Sequence, residues 1–167
     1  MILETNRLII RELNVGDAGY FYELNKDPLV IQYTGDVAFE SEKAAKLFLE
    51  KYPANNYLKY NCGRWAVILK STNEWLGWCG IKYMPAYKEY DIGYRFYRKY
   101  WGHGYATESA LACLQYGFAE LKLNEIVGHA MKENIASIKV LEKIGMEYVK
   151  DYLMDDKYPA VLFVKKI

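Results

Sequence analysis

Apolar and polar positions alternate over residues 7–13, a period of two that reads as a half-buried strand. Six further stretches are apolar, aromatic or β-branched without a helical period: 65–69, 76–83, about 88–97, 125–130, 146–150 and 159–164. Elsewhere the spacing becomes helical. Asp17 is placed to cap a helix running to about Asn25, with Ala18, Phe21, Tyr22 and Leu24 on its apolar face and Pro28 as its stop. Ser41 or Glu40 opens a second helix whose apolar face is Ala44, Ala45, Phe48 and Leu49, ended by the stretch 53–57. Thr107, Ala110, Leu111, Leu114, Phe118 and Leu121 recur as one stripe four turns long. Asn134 caps a fourth helix with Ile138, Leu141 and Ile144 inward, and Gly145 closes it as a C′ residue.

The connections give these elements an order in space. Polar residues 70–74 and the Pro85–Ala86 turn join strands 65–69, 76–83 and 88–97 into an antiparallel meander. The strand at 88–97, the long helix and the strand at 125–130 make one crossover unit, which places two parallel strands at the centre. The fold class is α+β: a mixed sheet of six to seven strands, antiparallel early, with a central parallel pair and about four flanking helices. A chain of 167 residues suits a single domain, 1–167, with a core of its own.

Composition narrows the partners. A formal net charge of +1 with 52% hydrophobic residues offers no excess charge for nucleic acid or an anionic membrane. No apolar run approaches the length of a membrane span, and Ile2, Leu3 and Glu4 do not begin a signal peptide, so a cytoplasmic location is expected. Cys62, Cys79 and Cys113 form an odd set without C-x-x-C spacing, which fits neither a disulfide framework nor a metal site. A cysteine nucleophile paired with His103 or His129 is conceivable, but nothing else in the sequence builds a thiol site.

Between the central strand and the long helix lies Arg98-Lys99-Tyr100-Trp101-Gly102-His103-Gly104-Tyr105-Ala106-Thr107-Glu108. Two glycines one residue apart let the backbone approach a ligand and turn successive N–H groups inward. The next N–H groups are the unpaired donors of a helix N-terminus, where the macrodipole favours negative charge. Such a turn binds phosphate. It lacks the third glycine of the dinucleotide fingerprint and the Gly-Lys-Ser/Thr of the Walker loop.

Tyr94-Arg95-Phe96 followed by Lys99-x-x-Gly102-x-Gly104-Tyr105-Ala106-Thr107-Glu108 resembles the acetyl-CoA-binding segment of the GNAT superfamily of N-acetyltransferases. Asp91-Ile92-Gly93-Tyr94, Asn134-x-x-Ser137, Glu142-Lys143-Ile144-Gly145-Met146 and residues 4–11 make it similar to the RimJ/RimL branch, which acetylates ribosomal-protein N-termini. The chain departs from the usual pattern at Lys99, where the family has Arg or Gln, and at Asp91, where it often has Glu.

The resemblance implies acetyl-CoA as co-substrate, no metal, and an amine acceptor, with monomer and homodimer both open. It implies that the two central strands diverge, so that pantetheine pairs with the backbone of Tyr94, Arg95 and Phe96 as an added strand. The pyrophosphate would meet Gly102, His103, Gly104, Tyr105 and Ala106, with Lys99, Arg98 and His103 adding charge and Asn134 binding the pantetheine arm. Helices 17–25 and 41–52 with the loop 32–36 would wall the acceptor pocket.

Acetyl transfer to an amine needs a neutral amine, a donor for the carbonyl oxygen and a leaving thiolate. The resemblance makes Asp91 the candidate base, with Glu89 second, and Ser137 the candidate proton donor to the thiolate, with Tyr152 and Tyr158 as alternatives. The acidic residues Asp36, Glu40, Glu42, Glu89 and Asp91 slightly outnumber Lys43, Lys82 and Lys88 about the expected mouth, leaving a peptide N-terminus and a small amine both open as acceptor. The alternative reading is a non-catalytic acyl-CoA-binding or regulatory module.

Overall fold

The computed structural model describes residues 2–167. Its strands are β1 (Leu3–Glu4), β2 (Leu8–Glu12), β3 (Gly63–Leu69), β4 (Trp75–Met84), β5 (Glu89–Phe96), β6 (Glu125–Met131), β7 (Glu147–Met154) and β8 (Tyr158–Lys166). All eight lie in one sheet in the order β1-β2-β3-β4-β5-β6-β8-β7. Every neighbouring pair is antiparallel except β5 and β6. The predicted α+β class and central parallel pair are therefore present. The extra strand is β1, a two-residue edge that lies outside the predicted first strand, 7–13.

The helices are α1 (Ala18–Lys26), α2 (Pro28–Ile31), α3 (Glu42–Asn55), α4 (Tyr57–Tyr60), α5 (Tyr105–Ala119) and α6 (Ile135–Lys143). Helices α2 and α4 are single turns too short to show a period. Pro28 ends α1 as expected and then opens α2 as its first residue, where its missing N–H costs nothing. Helix α3 ends at Asn55, within the stretch 53–57 expected to stop it and two residues past Pro53. Asp17 sits at the start of α1 but does not cap it: its carboxylate accepts from Arg11 at 2.7 and 2.8 Å and from the Asn14 N–H at 2.9 Å.

Helix α5 packs across one sheet face and α1 with α3 covers the other. The buried stripe of α5 is Ser109, Ala110, Cys113, Leu114 and Gly117, whereas Leu111 is 41% exposed and Leu121 lies past the helix end. The face is rotated from the one predicted because close approach selects small residues. A Cβ on Gly117 would stand 2.5 Å from Ile81 and 2.7 Å from Ile126, so the sheet touches the helix backbone there. Helix α6 ends as predicted: Gly145 has φ +77°, and the N–H groups of Gly145 and Met146 return to Glu142 and Leu141.

Candidate active site

The alternation along β3, β4 and β5 sends Arg64, Trp78, Lys82, Asp91 and Arg95 to the sheet face opposite α5, where they floor a cavity of about 630 Å³. Arg64 lies flat across two strands. Gly93 makes this possible, since a Cβ there would stand 2.6 Å from the guanidinium. Its Nη1 donates to the carbonyls of Gly80 (2.6 Å) and Asp91 (2.7 Å), and its Nη2 pairs with the Asp91 carboxylate. These side chains are only 15% and 12% exposed, so this is a largely buried ion pair. Arg64 and Arg95 both stand over the Trp78 ring, at 5.5 and 5.1 Å. Arg95 reaches Asp36 at 2.6 Å and also bonds Asn25 on α1. Phe21, Phe39 and Phe48 pack against one another at 5.6–5.7 Å as an aromatic wall. The walls thus come from α1, α3 and the loop carrying Asp36, as the sequence suggested.

The cavity ends where the parallel strands part. Asp91 and Val127 are their one registered pair, so beyond Asp91 the β6 side of β5 has no strand partner among the described residues. The Tyr94 hydroxyl crosses this opening to the start of α6, donating to Ser137 O at 2.9 Å and standing 3.0 Å from Ser137 Oγ. Burial holds the Tyr94 phenol well above its usual range, against the opposing effect of the Ser137 bond, so it stays protonated near neutrality. Asn134 caps α6, its Oδ1 accepting from Ser137 N at 3.1 Å. Asp91, Tyr94, Arg95, Asn134 and Ser137 all line the one cavity.

Beyond the end of β5 lies the turn. Gly102 and Gly104 have φ of +78° and +79°, the left-handed region that glycine enters at no steric cost. No side chain caps α5, and Glu108 N to Gly104 O (3.0 Å) is the first bond of its ladder, so the N–H groups of Tyr105, Ala106 and Thr107 precede that ladder. A Cβ on Gly102 would meet nothing within 4 Å. Open space above consecutive donors at a helix N-terminus fits a pyrophosphate. Trp101 Nε1 ties the turn to Phe96 O at 2.9 Å, and the His103 ring stacks on Tyr105 at 5.7 Å. Lys99 stands over Tyr100 and 3.9 Å from Glu74, while Arg98 is paired with Asp27 at 2.9 Å.

A further cation at this turn is Arg7, to which the sequence analysis gave no role. Its guanidinium donates to His103 O at 3.0 Å and to Glu108 at 2.7 Å and covers the Tyr105 ring at 4.5 Å. Glu108 also accepts from Thr5 Oγ1 at 2.5 Å and from Arg7 N at 3.0 Å. Burial pushes the Glu108 carboxyl up, but the Thr5 and Arg7 bonds outweigh it and hold the carboxyl below its ordinary value. A depressed carboxylate stabilises the fold above the ordinary pKa of about 4.3 and loses that contribution as pH falls through the folded value. The expected result is that Glu108→Gln narrows the stability difference between pH 7 and about pH 3, measured by urea unfolding at both. Equal losses in both proteins would refute it.

Sequence reasoning passed over Arg64 and Trp78 and weighed His129 only as a partner for a cysteine, because their places depend on strands far apart in the chain. His129 lines the cavity from β6, beside Tyr152 on β7, and Tyr158 begins β8 opposite Met154. All three cysteines are buried, and burial drives the Cys113 thiol well above its usual range. A thiol nucleophile is thereby set aside. Among the described residues no group of three or more His, Cys, Asp or Glu side chains is placed to hold a metal, and no helix is long and apolar enough to cross a membrane.

Comparison with known proteins agrees with this geometry. The chain is 36% identical over 151 residues to Uncharacterized N-acetyltransferase YnaD of Bacillus subtilis (strain 168), covering 87% of this chain and 82% of that one. The acetyltransferase (GNAT family) from Bacillus anthracis superposes with a TM-score of 0.85 at 28% identity, over 98% of this chain and 97% of that one. RimL, a ribosomal L7/L12 alpha-N-protein acetyltransferase in complex with coenzyme A, superposes with a TM-score of 0.83 over 99% of this chain and 97% of that one. At 16% identity RimL shares the fold, and membership of the RimJ/RimL branch does not follow. Residues 7–147 match the family described as Acetyltransferase (GNAT) domain, so the chain belongs to the GNAT family of N-acetyltransferases, enzymes that use acetyl-CoA.

Proposed function

We propose that the enzyme moves the acetyl group of acetyl-CoA directly onto the primary amine of a small acceptor, both substrates being bound together. The observation that carries this reading is the parting of β5 from β6 at Asp91, directly beside a walled cavity. The free edge of β5 can take the pantetheine amides as an added strand, with the backbone of Tyr94, Arg95 and Phe96 supplying the partners. The N–H groups from Gly102 to Ala106 then face the pyrophosphate, with Arg7 bracing the turn and Lys99 at its outer side. The side-chain amide of Asn134 has its N–H donors left for the pantetheine arm, because its oxygen is used by the cap. Ser137 faces the sulfur and passes it a proton, which the second proton of the attacking amine replaces, while the Tyr94 hydroxyl holds the serine in place.

Asp91 presents one carboxylate oxygen to Arg64 and keeps Oδ1 for the incoming ammonium, a charge-assisted bond that orients the amine. A proton placed on Asp91 would leave the Arg64 guanidinium without its counter-charge, so orientation suits this residue better than proton storage.

The acceptor's charge follows from how the acids at the mouth are used. The cavity lining balances Asp36, Asp91 and Asp155 against Arg64, Lys82 and Arg95, with Asp36 paired to Arg95 and Asp91 to Arg64. Little free negative potential remains to steer a basic polypeptide. A panel of polyamines, amino-acid amides, aminoglycosides and free-N-terminal peptides, assayed for CoA release, tests this directly. The best acceptor should be small, and its kcat/KM should change less than about threefold as ionic strength rises from about 0.05 to about 0.5 M. A basic peptide that reacts fastest and loses rate steeply with salt would reverse the assignment.

A further inference from the structure

His129 bridges two acidic side chains that the reaction described so far leaves idle. Its Nδ1 is 2.7 Å from the Tyr152 hydroxyl, and its Nε2 is 3.4 Å from Glu89 Oε2. The three come from β7, β6 and β5, so the sheet itself fixes their spacing. Tyr152 and His129 line the cavity that holds Asp91, Tyr94 and Ser137. Glu89 lies outside it, lining a separate surface cleft between residues 88–90 and 122–127, and its side chain is 30% exposed. A chain of polar atoms therefore runs from the inner cavity to solvent.

We propose that Tyr152, His129 and Glu89 form a proton relay that takes the first proton from the acceptor's ammonium group, an assignment resting on the acetyl-transfer reading above. Tyr152 Oη accepts that proton, directly or through one water, as its own proton moves to His129 Nδ1. The acceptor N–H bond breaks, a neutral amine is left, and His129 becomes an imidazolium whose Nε2–H points at Glu89. The charge gained by the imidazole is offset by the Glu89 carboxylate, and the proton then leaves through the exposed cleft. The second amine proton is lost after attack and ends on the departing sulfur, so one proton is released per acetyl group transferred.

The assignment of parts follows from chemistry. Tyrosine is suited to pass a proton and not to hold the negative charge: burial first, then Asp91, Tyr87, Glu89 and Asp155, push the Tyr152 phenol up to about 12. Imidazole is the side chain whose ordinary titration lies nearest neutrality, so it is the natural resting place for the proton. The carboxylate behind it plays the part that aspartate plays behind the histidine of a serine-protease triad, stabilising the imidazolium without taking the proton. The titratable groups around His129 are Glu89 and Asp91 on β5, Tyr87 in the preceding turn, Tyr152 on β7 and Asp155 in the turn after it, while β8 offers the apolar Leu162. The cations nearby are Arg64, held by Asp91, and Lys82 in the inner cavity, and Lys88 and Lys122 in the cleft with Glu89.

The test is the pH dependence of kcat and kcat/KM for the full chain with acetyl-CoA and its best primary amine, compared with Tyr152→Phe and His129→Gln. Near pH 7 each variant should lose about 100-fold in kcat/KM. That deficit should shrink to a few-fold near pH 10, where bulk solvent deprotonates the acceptor. CoA binding by calorimetry should stay within about twofold of wild type, showing that the variants fold. A deficit constant across pH would mean that these residues only support structure and would overturn the relay alone, as would variants with wild-type rates. A wild-type protein that binds CoA but acetylates no amine would overturn the acetyl-transfer reading and the relay with it.

Discussion

Asp91→Asn should lower the melting temperature by roughly 6–12 °C, before any effect on catalysis is considered. The asparagine keeps the size of the side chain and removes its charge, leaving the Arg64 guanidinium its carbonyl acceptors but no counter-charge in a site where both side chains are at most 15% exposed. Breaking a buried ion pair by removing one partner costs about 3–5 kcal/mol, and the lower end applies because some exposure persists. For a chain of this length each kcal/mol moves the midpoint by about 2–4 °C. Arg64→Met in the Asp91→Asn background removes the orphaned cation and should restore at least half of the loss, giving a coupling free energy above about 1 kcal/mol. Calorimetric melting of wild type, Asp91→Asn, Arg64→Met and the double variant settles the matter. An Asp91→Asn variant that melts within about 2 °C of wild type would show that the pair is not structural, and would return Asp91 to consideration as the base.

This result separates what the sequence could reveal from what it could not. Strands, long helices and the glycine turn are local: periods of two and 3.6, caps and Gly spacing are properties of neighbouring residues, and these elements lie within a few residues of their predicted bounds. The parallel pair followed from connection length alone. The floor of the cavity is different in kind. Arg64 meets Asp91 only because β3, β4 and β5 lie side by side in register, with Gly93 clearing room for the guanidinium. Arg7 reaches the turn 96 residues away because β1 and β2 run past the start of α5. His129, Tyr152 and Glu89 likewise converge from three strands. The one signal available in sequence was Gly93, since a glycine inside a strand marks a place where something crosses closely. The rotated face of α5 has the same root. A hydrophobic stripe finds large residues, whereas the tight contact there required Gly117 and Ser109.

Gly102→Ala should weaken CoA binding by an order of magnitude or more while leaving a folded protein. The substitution adds one methyl, which would meet no protein atom within 4 Å, so its internal cost is that of holding an L-residue at φ +78°. That cost is about 1–2 kcal/mol and falls on an exposed turn. The methyl does occupy the space through which a pyrophosphate must come to reach the N–H groups of residues 102–106, and lengthening those hydrogen bonds removes the charge-assisted contacts that make the site. Gly145→Ala is the control for backbone strain. Its φ is +77°, it lies at the far end of α6, and a methyl there meets only the flexible end of Lys165 at 3.1 Å. It should lose similar stability and bind CoA as wild type does. Isothermal titration of CoA into the three proteins reads both effects. If Gly102→Ala retains affinity within about twofold, or if Gly145→Ala loses as much, the turn is not the phosphate site and the free edge of β5 would have to hold the cofactor by itself.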